Sequence, residues 1–153
     1  MNKLLVLIVV LFVIGWAVYD NKESVSSNVG GNNDIATTTV DTNDTKKDRI
    51  VVDTPVKDMT ISSPFVVSGK ARGYWFFEAS FPIELRDTQG NILETIIAQA
   101  QSDWMTTEFV PFTASLIFTK PSAPMSAVLV FKKDNPSGLS ENDDFIEIPV
   151  IIQ

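Results

Sequence analysis

From Trp75 to Arg86 the chain reads WFFEASFPIELR, and its side chains sort by parity. The odd positions, Trp75, Phe77, Ala79, Phe81, Ile83 and Leu85, are all apolar. The even positions, Phe76, Glu78, Ser80, Pro82, Glu84 and Arg86, are polar apart from Phe76 and Pro82. A period of two belongs to a β-strand, whose successive side chains point to opposite faces. The odd set is therefore expected inside a core and the even set outside, with a bulge near Ala79 or Pro82 able to reverse the facing. Each large apolar side chain buried contributes about 1.5–3 kcal/mol, so one such strand supplies much of a small domain's stability.

The same alternation recurs. Val110, Phe112, Ala114, Leu116 and Phe118 share a parity, as do Ala127, Leu129 and Phe131, and then Ile146, Ile148, Val150 and Ile152. Apolar or alternating runs fall at 49–53, 65–71, 75–86, 91–100, 109–119, 126–133 and 145–152. Turn chemistry separates them: Ser62-Ser63-Pro64, Asp87 to Asn91, Pro121 to Pro124, and Asp134 to Asp144. Short strands at this spacing predict an all-β fold, an immunoglobulin-like antiparallel β-sandwich of about seven strands over residues 49–153. A small α+β domain with a helix over 91–101 is the rival, but Gly90-Asn91 and the alternating isoleucines favour a strand.

Upstream, residues 4–19 (LLVLIVVLFVIGWAVY) carry no charge. As a helix this run is about 24 Å long, slightly short of a bilayer's hydrocarbon core. Residues 1–19 read either as a signal anchor, with Trp16 and Tyr19 in the interfacial belt, or as a signal peptide cleaved near Gly15-Trp16-Ala17. Both place the rest of the chain outside the cytoplasm. Residues 20–48, rich in Ser, Thr, Asn, Asp and Gly, have too little apolar surface to offset chain entropy and read as a flexible linker.

The chain has no Cys and no His. Thiol nucleophiles, disulfides, His-based triads and most transition-metal sites are excluded by that. A net charge of −7 and the lack of any basic run longer than two residues argue against nucleic acid. Glu78 and Glu84, on one face of one strand, would stand about 20 Å apart, too far for glycoside hydrolysis. No catalytic residue, cofactor or metal is expected. The loop from Asp134 and Asn135 to Asp144 is rich in oxygen ligands, but its spacing does not fit a calcium loop, and it reads as a solvated turn. The candidate binding surface is aromatic: Tyr74 and Phe76 on the outward parity, joined by Trp104, with Asp134 and Asn135 as polar neighbours. The competing reading places Trp104 in the core at one end of the sandwich.

Several motifs together carry a family resemblance. IVVDTP (50–55), then ISSPFVVSGKARG (61–73), WFFEASFPIELRD (75–87), WMTTEFVPF (104–112), FKKDNPSGLSENDD (131–144) and IPV (148–150) follow in order. The chain resembles the bacterial spore germination immunoglobulin-like domain, found in exported and membrane-anchored proteins. The resemblance covers 49–153 and implies the fold and the compartment. It implies no catalytic residues. The expected function is a non-catalytic extracytoplasmic domain, tethered to a bacterial membrane and assembling with cell-envelope proteins. The alternative is a module for glycan or peptidoglycan that uses the exposed aromatics.

Overall fold

The structure, a computed structural model, describes residues 46–153. The hydrophobic helix expected over 1–19, and most of the linker over 20–48, lie outside the described residues. No helix among the described residues is long and apolar enough to cross a membrane.

Eight strands form one hydrogen-bonded series: β1 (Ile50–Thr54), β2 (Met59–Ile61), β3 (Phe65–Arg72), β4 (Ser80–Asp87), β5 (Ile92–Ala100), β6 (Phe109–Leu116), β7 (Met125–Lys132) and β8 (Phe145–Ile152). Their spatial order is β1-β3-β6-β5-β4-β7-β8-β2. The series folds over on itself. In a flat sheet β6 and β7, with two strands between them, would lie about 14 Å apart. Yet the rings of Phe112 on β6 and Phe131 on β7 have centroids 6.2 Å apart. The crease runs where β5 meets β6, a junction of only two register pairs, Gln99 with Thr113 and Ala100 with Phe112. A layer of β1, β3 and β6 thus faces a layer of β5, β4, β7, β8 and β2.

The expected core parities hold on three strands. Val110, Phe112, Ala114, Leu116 and Phe118 are buried, as are Ala127, Leu129 and Phe131. Ile146, Val150 and Ile152 are buried too, with Ile148 packed against them. The segment 91–100 is a strand, not a helix. β2 has no counterpart among the runs expected from sequence. Three residues are too few to show a period, and it is defined by partnership: Met59, Thr60 and Ile61 run parallel to Val150, Ile151 and Ile152. A turn at 56–59, with Asp58 at φ 62°, carries the chain from β1 in one layer to β2 in the other.

The run at 75–86 departs from its parity. The strand begins only at Ser80. Before it, Phe77 and Ser80 exchange both backbone hydrogen bonds around a two-residue turn, with Glu78 at φ 49° and Ala79 at φ 62°. That is the mirror-image turn whose twist suits a hairpin. Gly73–Trp75 form one turn of 3-10 helix, where side chains step by about a third of a circle rather than alternate. Consequently Trp75 and Phe76 are both buried and Phe77 is 41% exposed, which corrects the expected facing of Phe76 and Phe77. From Phe81 onward the odd set (Phe81, Ile83, Leu85) is in the core as expected.

Candidate functional site

Three of the longer loops, 73–79, 101–108 and 133–144, gather at one end of the sandwich together with the entering segment 46–49, while the loop 117–124 lies at the other end beside Ser63 and Gln153. Glycine at 73 is what lets them close up. A Cβ there would lie 1.9 Å from the Thr106 carbonyl oxygen and 2.3 Å from that of Trp104. The Gly73 N–H donates to the Glu108 carbonyl at 3.1 Å, and the Asp134 N–H donates to the Trp75 carbonyl at 3.0 Å. The segments of Tyr74, Trp104, Asp134 and Asn135 therefore meet at this end.

Their roles differ. Tyr74 is 50% exposed and free to contact a partner. Phe76 is not: at 4% exposure it packs edge-on against Phe81, ring centroids 5.2 Å apart, and belongs to the core. Trp104 is half-buried against the core. Asn135 holds its own loop, donating from Nδ2 to the Leu139 carbonyl at 2.8 Å and to Asp143 Oδ1 at 2.7 Å. Asp134 is anchored through its backbone. The aromatic platform expected from sequence is thus reduced to Tyr74, with Trp104 as a half-buried neighbour. Among the described residues no group of three or more acidic side chains is placed to hold a metal. Glu78 and Glu84 do not share a strand face, since Glu78 sits in the turn before β4.

Two ionic clusters escaped the sequence reading. On β4, Glu84 is only 7% exposed although it points away from the core. Its Oε2 accepts from Arg86 Nε at 2.8 Å and from Arg86 Nη2, and its Oε1 accepts from Lys132 Nζ at 3.0 Å. Burial pushes this carboxyl up, but the hydrogen bonds from Lys132 and Arg86 hold it below the usual glutamate value. Asp144, the residue before β8, takes Lys46 Nζ on Oδ1 and Arg49 Nη1 on Oδ2 at 2.8 Å. It too is held below the usual value, burial opposing and Lys46 and Arg49 prevailing. Lys46 Nζ also donates to the Phe145 carbonyl at 2.8 Å and stands 5.3 Å from the centre of the Phe145 ring. Glu84 and Arg86, two apart on one strand, could have been paired from sequence. Lys132 and Lys46 could not, because the registers that bring them close exist only in the fold.

The outer faces of the two layers differ in how much apolar surface they gather. Opposite residues in paired strands share a face, so the registers give each surface directly. On the three-stranded layer, Ser68 lies opposite Thr113, Val66 opposite Ser115, Lys70 opposite Pro111, and Arg72 opposite Phe109. That surface mixes Ser, Thr, Lys and Arg with Pro111 and with Val66, which is 61% exposed, and its Phe109 is covered by Arg72, whose guanidinium carbon is 4.1 Å from the ring centre. On the five-stranded layer, Pro82 lies opposite Ile97, Arg86 opposite Ile92, Val128 opposite Pro149, and Ser126 opposite Ile151. Ile97 is 50% exposed and Ile92 and Phe145 about as much. An apolar surface crosses four strands, interrupted by the Glu84 cluster.

A profile of the immunoglobulin-like domain of bacterial spore germination matches residues 49–140, from β1 into the loop before β8. The chain belongs to this family. No curated protein and no solved structure matches it. In this family member β8 lies beyond the matched residues, yet it pairs with β7 along its whole length and closes the five-stranded layer.

Proposed function

We propose that this spore germination-type immunoglobulin-like domain is a non-catalytic interaction module, held outside the cytoplasm of a bacterial membrane by residues 1–19 and assembling there with cell-envelope proteins. The observation that carries the reading is the outer surface of the five-stranded layer. A sandwich needs only its inner faces to be apolar. The outer face of the five-stranded layer nevertheless carries Ile92, Ile97, Val128, Pro149, Ile151 and Phe145, whereas the other layer's carries Val66, Phe109 and Pro111 among Ser, Thr, Lys and Arg. An apolar sheet surface rimmed by charge is the composition of a protein-binding patch. The family's immunoglobulin-like character and the chain's lack of Cys and His support a binding rather than a catalytic role. The glycan-binding alternative drew its support from an aromatic platform, and the loss of Phe76 to the core reduces that platform to Tyr74, 50% exposed, beside a half-buried Trp104.

The test is a comparison of variants in the cell of origin. Ile97→Glu with Ile92→Glu should leave the melting temperature within a few degrees of the parent, as surface changes do. The same pair should abolish co-purification of envelope proteins with the membrane-bound chain. Retention of the same partners by the folded double variant would refute the reading.

A further inference from the structure

A cleft of about 190 Å³ opens where the apolar surface meets the loop end. Its floor is Val130, 2% exposed, and one wall is the ring of Phe145. Arg86, Lys132 and Lys133 line it, and so do Asp143 and Asp144. The charges are unequal in a specific way. Glu84 neutralises one of the pair Arg86 and Lys132, and both of its oxygens are occupied in doing so. Arg86 commits Nε and Nη2, and Lys132 one hydrogen, so both cations keep N–H donors for another acceptor. Asp144 likewise sits between two cations, Lys46 and Arg49, and Asp143 accepts from Asn135. Lys133 Nζ donates to the Asn142 carbonyl at 3.1 Å. A chain of net charge −7 thus presents a pocket lined by three cations and two carboxylates above an apolar floor, with Glu84 beside it and Glu147 opposite Val130 on the same face.

We infer that this cleft receives an acidic, apolar peptide segment of the partner protein. An aliphatic or aromatic side chain rests on Val130 against Phe145, and a neighbouring carboxylate is hydrogen-bonded by Arg86, Lys132 and Lys133. Arg and Lys with spare donors, half-exposed at the rim of an apolar floor, form the charge-assisted bonds that fix register for such a segment. The inference rests on the domain being a protein-binding module and names the chemistry of what it binds.

The experiment uses the isotope-labelled full chain in detergent micelles at low ionic strength, titrated with capped hexapeptides while backbone amide shifts are followed. A peptide alternating Asp and Leu should shift Arg86, Val130 to Lys133 and Asp143 to Phe145. Its affinity should fall at least about tenfold in Lys132→Gln/Lys133→Gln, the loss of one to two charge-assisted bonds. Lys133→Gln alone, which leaves Glu84 paired, should weaken it in the same direction. Peptides alternating Lys and Leu, or Asp and Ser, should bind far more weakly. Equal binding of either control, shifts outside the cleft, full displacement by inorganic phosphate, or an unchanged affinity in both variants would overturn the inference. Failure here with partner capture still lost in the Ile92/Ile97 variant rejects the cleft alone. Peptide binding at the cleft with capture unaffected rejects the outer-surface reading instead.

Discussion

At the scale of single residues, Tyr74 and Phe76 separate surface from core within three positions. Phe76→Ala empties a site between Phe81 and its neighbours and should cost about 3–5 kcal/mol in urea unfolding. Tyr74→Ala should change stability by no more than about 0.5 kcal/mol. Glu84 is the other residue whose role differs from its appearance. In a strand it reads as one more solvated carboxylate, yet it ties β4 to β7 through Lys132. Glu84→Gln weakens three hydrogen bonds to charged donors at a buried site and should lower the unfolding free energy by about 1–3 kcal/mol. What was legible at this scale was parity wherever a strand is regular, as on β6 and β7. Phe76 and Phe77 were misplaced because a 3-10 turn and a two-residue hairpin replaced the strand their alternation suggested.

At the scale of elements, the turns specify the fold as firmly as the strands. Ala79 takes a left-handed conformation that costs a non-glycine residue about 1 kcal/mol or more, and it exposes no large side chain. Ala79→Gly should therefore raise stability by up to about 1 kcal/mol, read as a higher urea midpoint with unchanged slope. Gly73→Ala should do the reverse and more strongly, since the atoms a Cβ would meet are backbone carbonyls of the 101–108 loop, which cannot swing aside. The loop at Asp87–Asn91 was legible because its Asp and Gly do what such residues do in turns. Asp87 Oδ1 accepts the N–H groups of Gln89 and Asn91 at 2.9 and 2.8 Å, and Gly90 sits at φ 86°. β2 was illegible, because a three-residue strand is selected by the β8 edge beside it and leaves no pattern of its own.

At the scale of the molecule, carboxylates held below their ordinary values shape the response to acid: Glu84 and Asp144 in the ionic clusters, and Asp87 through the hydrogen bonds of its turn. Glu84 and Asp144 both titrate below their ordinary values in the folded protein. Their contribution is complete above the unfolded carboxylate range, near pH 4, and is lost as the pH falls through their folded values. With no His in the chain, the urea midpoint should stay nearly flat from pH 7 to about pH 5 and drop below about pH 4. Glu84→Gln/Asp144→Asn should start lower and fall less. Sequence conveyed the layered β-architecture, because core alternation is local. It did not convey the difference between the two outer faces, because a face is assembled from three or five strands whose registers and order only the fold provides. That difference underlies the proposal that the five-stranded layer meets the partner. It is tested most directly by a photo-reactive side chain placed in turn at Ile97 on that layer and at Thr113 on the other, followed by irradiation of living cells. The account predicts a cross-linked envelope protein from Ile97 and none from Thr113; adducts from Thr113 with none from Ile97 would contradict it.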